Sequence, residues 1–255
     1  MPENRELSFY RDTIFDIMNK IADGIDTIQA AAQKVVEVIA RDEVVHVIGP
    51  GGHSNMAVEE VFWRAGGFAA VNPILDPGTN LIHGGARSMI VERTLGYGVK
   101  VMDAYRVGRK PGELIIIVNA YGVNCMCIDL VLEAKKREMT TIGITSRSYA
   151  DVLDKDHPSR HPSGKNLYQE ADFFLDNHLP YGDAIVEVEG TDRRMGPTST
   201  FSNVFTINLL MIETAKALTA KGIEPPIFMS GNLPGGDEAN KQLIDKYIPK
   251  VKHLM

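Results

Sequence analysis

The sequence predicts an α/β domain built on a parallel sheet covered on both faces. Three observations carry that expectation. Short aliphatic and β-branched runs alternate with helix-length segments along the 255 residues, and such alternation implies crossover connections and parallel strands. The best runs are continuously apolar, as strands buried on both sides must be. Composition, at 44% hydrophobic, 24% charged and 7% aromatic, is that of one large globular domain with a full core.

The elements follow in order. From about Arg5 to Arg41, Phe9, Ile14, Ile17, Ile21, Ile25, Ile28, Val35, Val36 and Ile39 recur at helical spacing. This is one long helix, or two in series broken at Gly24. EVVHVI (43–48) is a buried strand ended by Gly and Pro, and Ser54 to Ala65 fits a helix. AAVNPIL (69–75) is a second strand, stopped by Asp76-Pro77-Gly78. ELIIIVNA (113–120) is the strongest strand signal, Cys125 to Arg137 a helix, TTIGIT (140–145) and DFFLDN (172–177) further strands. AIVEVEG (184–190) and the amphipathic stretch Ser199 to Lys221 are expected to complete the core, with a last helix from near Asp237. The organisation is a helical arm over residues 1–42 and an α/β domain over 43–255, forming one structural unit.

Charge and cysteine usage exclude several function classes. A net charge of −6 gives no electrostatic footprint for nucleic acid. No apolar run approaches the roughly 18–20 residues that span a bilayer. The segment MPENRELSFY is charged and lacks the apolar core of a signal peptide. Cys125 and Cys127 lie two apart, too close for a useful staple and one short of CxxC spacing. A reduced, cytoplasmic protein is expected.

In an open parallel sheet, ligands bind beyond the carboxyl ends of the strands. Two such loops carry suitable chemistry. In the first, Gly49-Pro50-Gly51-Gly52-His53-Ser54, glycines allow backbone N–H groups to approach an anion, and the hydroxyl adds a donor. The same spacing also fits a tight turn with Ser54 as a helix cap. GxGxxG and GK[ST] spacings are absent, so no nucleotide loop is supported. The second loop, Asn119-Ala120-Tyr121-Gly122-Val123-Asn124, offers polar groups at Asn119, Tyr121 and Asn124, or is a plain connection.

Glu59 and Glu60 sit on the helix leaving the first loop. Adjacent helical positions are about 100° apart, so only one can face a cleft as a base, while the other is solvated or pairs with Arg64. Among seven histidines, none shows metal-ligand spacing, so no metal or cofactor is expected. His53 and His83 follow strand ends and are acid/base candidates. His46 falls within a strand, as a satisfied core or edge residue. The stretch HPSRHPSGKNLYQEAD is an ordered polar loop in which Lys165 or Arg160 would be available to an anion. No GxSxG elbow is present, and the two cysteines are expected to pack rather than react.

Four segments, GGHSNMAVEEVFWRAGGFAAVNPILDPG, LVLEAKKREMTTIGITS, HPSGKNLYQEADFFLDNHLPYGDAIVEVEG and IEPPIFMSGNLPGGDEANK, occur in order over nearly the whole chain. Together they resemble SIS-domain (sugar isomerase domain) proteins, in the uncharacterised branch named for phosphosugar isomerases. The resemblance implies a doubly wound sheet of five parallel strands flanked by helices, with the N-terminal helices aiding dimerisation. It implies a homodimer or homotetramer with its sugar site near a subunit interface. In the family the first loop reads approximately G-[ST]-G-H-S and the second S-N-S-G-R-N-P, whose hydroxyls and amides hold a sugar phosphate. Here the first loop looks one residue longer and carries Pro50, while the second lacks every serine and presents Tyr121.

The implied activity is aldose–ketose interconversion of a phosphorylated or otherwise anionic sugar through an enediolate. Glu60, or else Glu59, resembles the carboxylate of sedoheptulose-7-phosphate isomerases, and His83 or His53 is the candidate for ring opening. Gly51, Gly52, His53, Ser54, Asn119, Tyr121, Gly122 and Asn124 are the expected substrate contacts. The departures at both loops also admit an unphosphorylated or sulfonated sugar. The alternatives are a non-catalytic sugar-phosphate sensor, or a lyase or deaminase on the same fold.

Overall fold

The computed structural model describes residues 5–255. Two N-terminal helices, α1 (Arg5–Asp23) and α2 (Ile25–Ala40), meet at Gly24, so the long apolar repeat is two helices in series. The central sheet contains β1 (Val45–Ile48), β2 (Val71–Ile74), β3 (Leu114–Val118), β4 (Thr140–Thr145) and β5 (Phe173–Asp176). All four neighbouring pairs are parallel, in the order β2-β1-β3-β4-β5. Pro73, which has no N–H to offer a ladder, lies in β2 at the sheet edge, where only one side needs pairing.

Alternation along β3 shows why a continuously apolar run was required. Leu114, Ile116 and Val118 join the core built with α2 and a long helix near the C-terminus, α9 (Ser199–Ala220). Ile115 and Ile117 join a second core on the other face, with α5 (Tyr97–Ala104) and α6 (Cys125–Lys136). Each of these five residues has no exposed surface, so truncation to Ala would cost roughly 2–5 kcal/mol.

The remaining helices are α3 (Asn55–Glu60), α4 (Gly85–Glu92), α7 (Arg147–Val152), α8 (Leu167–Glu170) and α10 (Gly236–Tyr247). Three differences from expectation have physical causes. The helix expected over Ser54 to Ala65 stops at Glu60, because Val61 and Phe62 are buried and the chain turns back so that the Phe68 N–H donates to the Val61 carbonyl at 3.0 Å. Helices α4 and α5 occupy a stretch in which periodicity pointed to no element. The segment from Ala184 adds nothing to the main sheet. Instead β6 (Ala184–Glu187) pairs antiparallel with β7 (Arg194–Pro197) as a half-exposed ribbon, tied to α1 by the Tyr10 hydroxyl donating to the Pro197 carbonyl at 2.8 Å.

At the amino ends of the strands, His46 is buried and fully partnered. Its Nδ1 accepts from the Asn72 amide at 2.9 Å and its Nε2 faces Glu113 Oε2 at 2.9 Å. Burial would raise the Glu113 carboxyl. Hydrogen bonds from His46 and from the Gly108 and Lys110 amides outweigh it and hold the group down at about 2.

Candidate functional site

From β1 the chain moves outward to the edge strand β2, then returns across β1 to form β3. The loops leaving β1 and β3 therefore diverge from adjacent strands, at the place where an open α/β sheet forms a crevice. A cleft of about 250 Å³ lies there, lined by Gly51, Gly52, His53 and Ser54 from the first loop and by Asn119, Ala120, Tyr121, Val123 and Asn124 from the second. Glu92, Arg93, Tyr149, His157, Ser159, Asp183 and Ser199 complete its walls. This volume lies just below the roughly 300–1,000 Å³ of typical small-molecule sites.

Asn119 and Asn124 lock the two loops together. Both side-chain amides donate to the Pro50 carbonyl, at 2.8 and 2.9 Å. Their carbonyl oxygens are also occupied. Asn119 Oδ1 accepts from the Tyr121 and Gly122 N–H groups, and Asn124 Oδ1 caps α6 through the Cys127 N–H at 2.8 Å. Gly122 does not line the cleft. It takes a left-handed φ of 64°, and a Cβ there would stand 2.5 Å from Thr145 Oγ1, so it is a turn residue.

Two carboxylates line the cleft, Asp183 and Glu92, the last residue of α4. Burial pushes the Glu92 carboxyl up to about 7, against the opposing pull of Arg93. The backbone passes very close: a Cβ added at Gly51 would lie 2.8 Å from Glu92 Oε2. Glu60 is directed elsewhere. One oxygen pairs with Arg64 at 2.5 Å and the other accepts from Asn208 on α9 at 3.1 Å. It does not line the cleft, nor does the exposed Glu59. His83 lies in a 3-10 turn (Leu81–His83), exposed and outside the lining, whereas His53 is part of it.

Two further groups define the electrostatics. Asp183 accepts from the Thr198 and Ser199 N–H groups, each at 2.8 Å, and from the Ser199 hydroxyl at 2.8 Å. The positive end of α9 is thus already occupied by the protein's own carboxylate. Tyr121 stacks on Tyr149 with ring centroids 3.9 Å apart, and Tyr149 on Tyr181 at 5.1 Å. Burial raises the Tyr121 hydroxyl, which therefore stays protonated as a donor. Arg160 and Lys165 are spent inside their own loop. Arg160 bonds the Ala150, Leu153 and Asp154 carbonyls and Asn166, and Lys165 pairs with Glu170 at 2.9 Å. Among the described residues no three His, Cys, Asp or Glu side chains converge to hold a metal ion. Both cysteines are buried and unbridged.

Sequence reasoning missed Glu92, Arg93, Tyr149, His157, Ser159, Asp183 and Ser199. Only the position of a carboxylate after a helix-length stretch between β2 and β3 would have hinted at Glu92. The others arrive from loops distant in sequence.

Comparison with known proteins gives a consistent family assignment. The family model described as "SIS domain" matches residues 9–146. A UPF0309 protein of Caldanaerobacter subterraneus subsp. tengcongensis is 38% identical over 253 residues, covering 97% of this chain and 100% of the relative. Another, from Thermoanaerobacter pseudethanolicus, is 39% identical over 251 residues, covering 96% of this chain and 98% of the relative. Among solved structures, a phosphoheptose isomerase from Francisella tularensis superposes with a TM-score of 0.49 at 14% identity, over 85% of this chain and 100% of that one. Among the described residues no helix is long and apolar enough to cross a membrane.

Proposed function

This chain belongs to the SIS-domain family, and on that premise we propose that it is an aldose–ketose isomerase whose base is Glu92. The observation that carries the reading is the half-sequestered Glu92 carboxylate, raised to about 7, between the two strand-end loops. A base of that strength is matched to neutral pH, and proton transfer by such a group contributes typically about 10²–10⁴-fold. Glu92 removes the proton from C2 of the open-chain aldose, the C–H pair becomes the C1=C2 bond, and the C1=O π pair moves onto O1. The O2 hydroxyl proton passes to O1, the O2 pair forms the C2 carbonyl, and the C1=C2 pair takes the proton back from Glu92 at C1. His53, exposed at the cleft, opens the sugar ring.

The substrate is a phosphorylated or otherwise anionic sugar. Arg93, the Ser54 hydroxyl and the Tyr121 hydroxyl are its available partners in the cleft. A second substrate reading, an unphosphorylated sugar, is favoured by one observation. Asp183 fills the amino end of α9 and would repel a dianion placed near it.

Incubating candidate sugars with the protein in D2O tests the activity. Deuterium entering C1 or C2 with the wild-type chain, and none with Glu92→Gln, is the expected result. Binding of a sugar without any exchange would instead favour a sensor.

A further inference from the structure

We propose that His157 is the electrophile of this site, presenting an Nε2–H donor to the substrate oxygen on which charge develops. The inference rests on the isomerase reading above, and it begins from a short tandem in the sequence, His157-Pro158-Ser159 followed by His161-Pro162-Ser163.

Both copies fold into the same turn. The Ser159 N–H donates to His157 Nδ1 at 3.2 Å, and the Ser163 N–H donates to His161 Nδ1 at 3.0 Å. Each serine hydroxyl also lies beside that nitrogen, at 2.6 and 2.7 Å. A backbone N–H aimed at a ring nitrogen requires a lone pair there. The ring proton therefore resides on Nε2 in both residues.

The second copy shows what the Nε2–H is used for. His161 Nε2 faces Asp129 Oδ1 at 3.4 Å, with both side chains nearly buried. Its backbone N–H donates to the Val123 carbonyl at 2.8 Å, fastening this turn to the second cleft loop. Arg160, between the copies, bonds the Leu153 and Asp154 carbonyls at 2.9 Å each. The tandem is thus anchored at one end and braced in the middle.

In the first copy the matching Nε2–H meets no protein acceptor among the described residues, and both His157 and Ser159 line the cleft. His157 is exposed and lines the cleft, and a donor fixed in tautomer and free of protein partners at such a position is what enediolate formation calls for. As Glu92 takes the C2 proton and the C1=O π pair moves onto O1, the Nε2–H hydrogen-bonds O1 without surrendering its proton. The O2 hydroxyl proton passes to O1, the O2 pair forms the new carbonyl, and Glu92 protonates C1. Fixed donors of this kind contribute about 10²–10³-fold in turnover.

The test pairs turnover with binding of an aldonohydroxamate, a mimic of the enediolate. His157→Leu is expected to lower kcat by about 10²-fold with little change in KM, and to weaken the hydroxamate by a similar factor. His157→Gln restores an N–H near the Nε2 position and should recover at least about tenfold of that loss. A kcat and a hydroxamate Kd within about twofold of wild type in His157→Leu would overturn the proposal, as would equal losses in both variants. If wild type exchanges no sugar proton, the isomerase reading fails, yet a hydroxamate Kd that depends on His157 still supports the donor. A wild-type chain that exchanges sugar protons but binds no hydroxamate overturns the donor alone and leaves the isomerase reading standing.

Discussion

The backbone of Gly51 and the carboxylate of Glu92 are in direct apposition: a Cβ on Gly51 would stand 2.8 Å from Oε2. The same Cβ would also come within 3.5 Å of Asn119 Nδ2 and 3.6 Å of Ser54 Oγ, so of its three neighbours the Glu92 carboxylate is the one pressed hardest. Gly51→Ala should displace the carboxylate by a fraction of an ångström to an ångström. A misplacement of that size costs on the order of 10²-fold in rate. Deuterium exchange measured beside a thermal melt is the check: a rate within threefold of wild type would show that the apposition has no bearing on the base.

Glu92 itself should cost the fold stability at neutral pH. Its folded value of about 7 lies above the ordinary 4.5, so the folded state holds a proton that the unfolded state gives up. The stability this contributes is complete below about 4.5 and is lost as pH rises through about 7. Glu92→Gln removes the titration and should be more stable than wild type above pH 7, by an amount on the order of 1–3 kcal/mol. In the same window kcat/KM of the wild type should rise, because the base works deprotonated. Denaturant melts and rate profiles from pH 5 to 9 report the two effects separately.

Glu113 should behave in the opposite sense. Its carboxyl is held at about 2, below the ordinary 4.5, by His46 and two backbone amides that outweigh burial. Its contribution is present above about 4.5 and disappears as pH falls through about 2. Glu113→Gln is expected to lose up to about 3 kcal/mol at pH 7, with the gap to wild type closing in acid. A gap that stays constant from pH 7 to pH 2 would argue against charge as its source.

Removing either amide that holds Pro50 should loosen the first loop. Asn119→Ala and Asn124→Ala each delete a donor to that carbonyl and an acceptor for backbone N–H groups. A loss of about 1–3 kcal/mol is expected for each. Because they share one acceptor, the double variant should lose less than the sum. Additive losses in urea titrations would mean that the loops are held independently.

Asp183 should weaken anion binding in the cleft that it lines. Asp183→Asn keeps an acceptor for the α9 amides while removing a charge from the cleft wall. It should tighten inorganic phosphate binding by about tenfold, the gain expected for relieving one like-charge contact worth roughly 1.4 kcal/mol. Calorimetric titration gives the comparison, and an unchanged Kd would mean that phosphate binds elsewhere or is screened from this carboxylate.

Much of this arrangement was legible in the sequence, for identifiable reasons. The strands of the main sheet are buried on both faces, so their apolar runs stand out, and ELIIIVNA marked β3 closely. Both strand-end loops could be named because turn chemistry is local. Helix α4 was not legible. Only Ser88 within it is buried, while Met89 and Ile90 are exposed at 47% and 65%, so no apolar stripe announces it. Glu92 acquires its character from loops brought over it by the fold, which no short window contains. Conversely, AIVEVEG was expected to help complete the core, but β6 has only the short β7 to pair with and α1 to lean on. Glu60 showed the right spacing from the loop, yet helix α3 ends there and hands its carboxylate to Arg64 and Asn208.

The single carbonyl of Pro50, shared by two amides from the neighbouring loop, carries a consequence for how such sites diversify. Neither loop can drift in length alone without parting the two donors of the second from their one acceptor on the first. Across related chains, positions 50, 119 and 124 should therefore change as a set, and grafting one loop without its companion should give a chain that folds poorly before it gains any new selectivity.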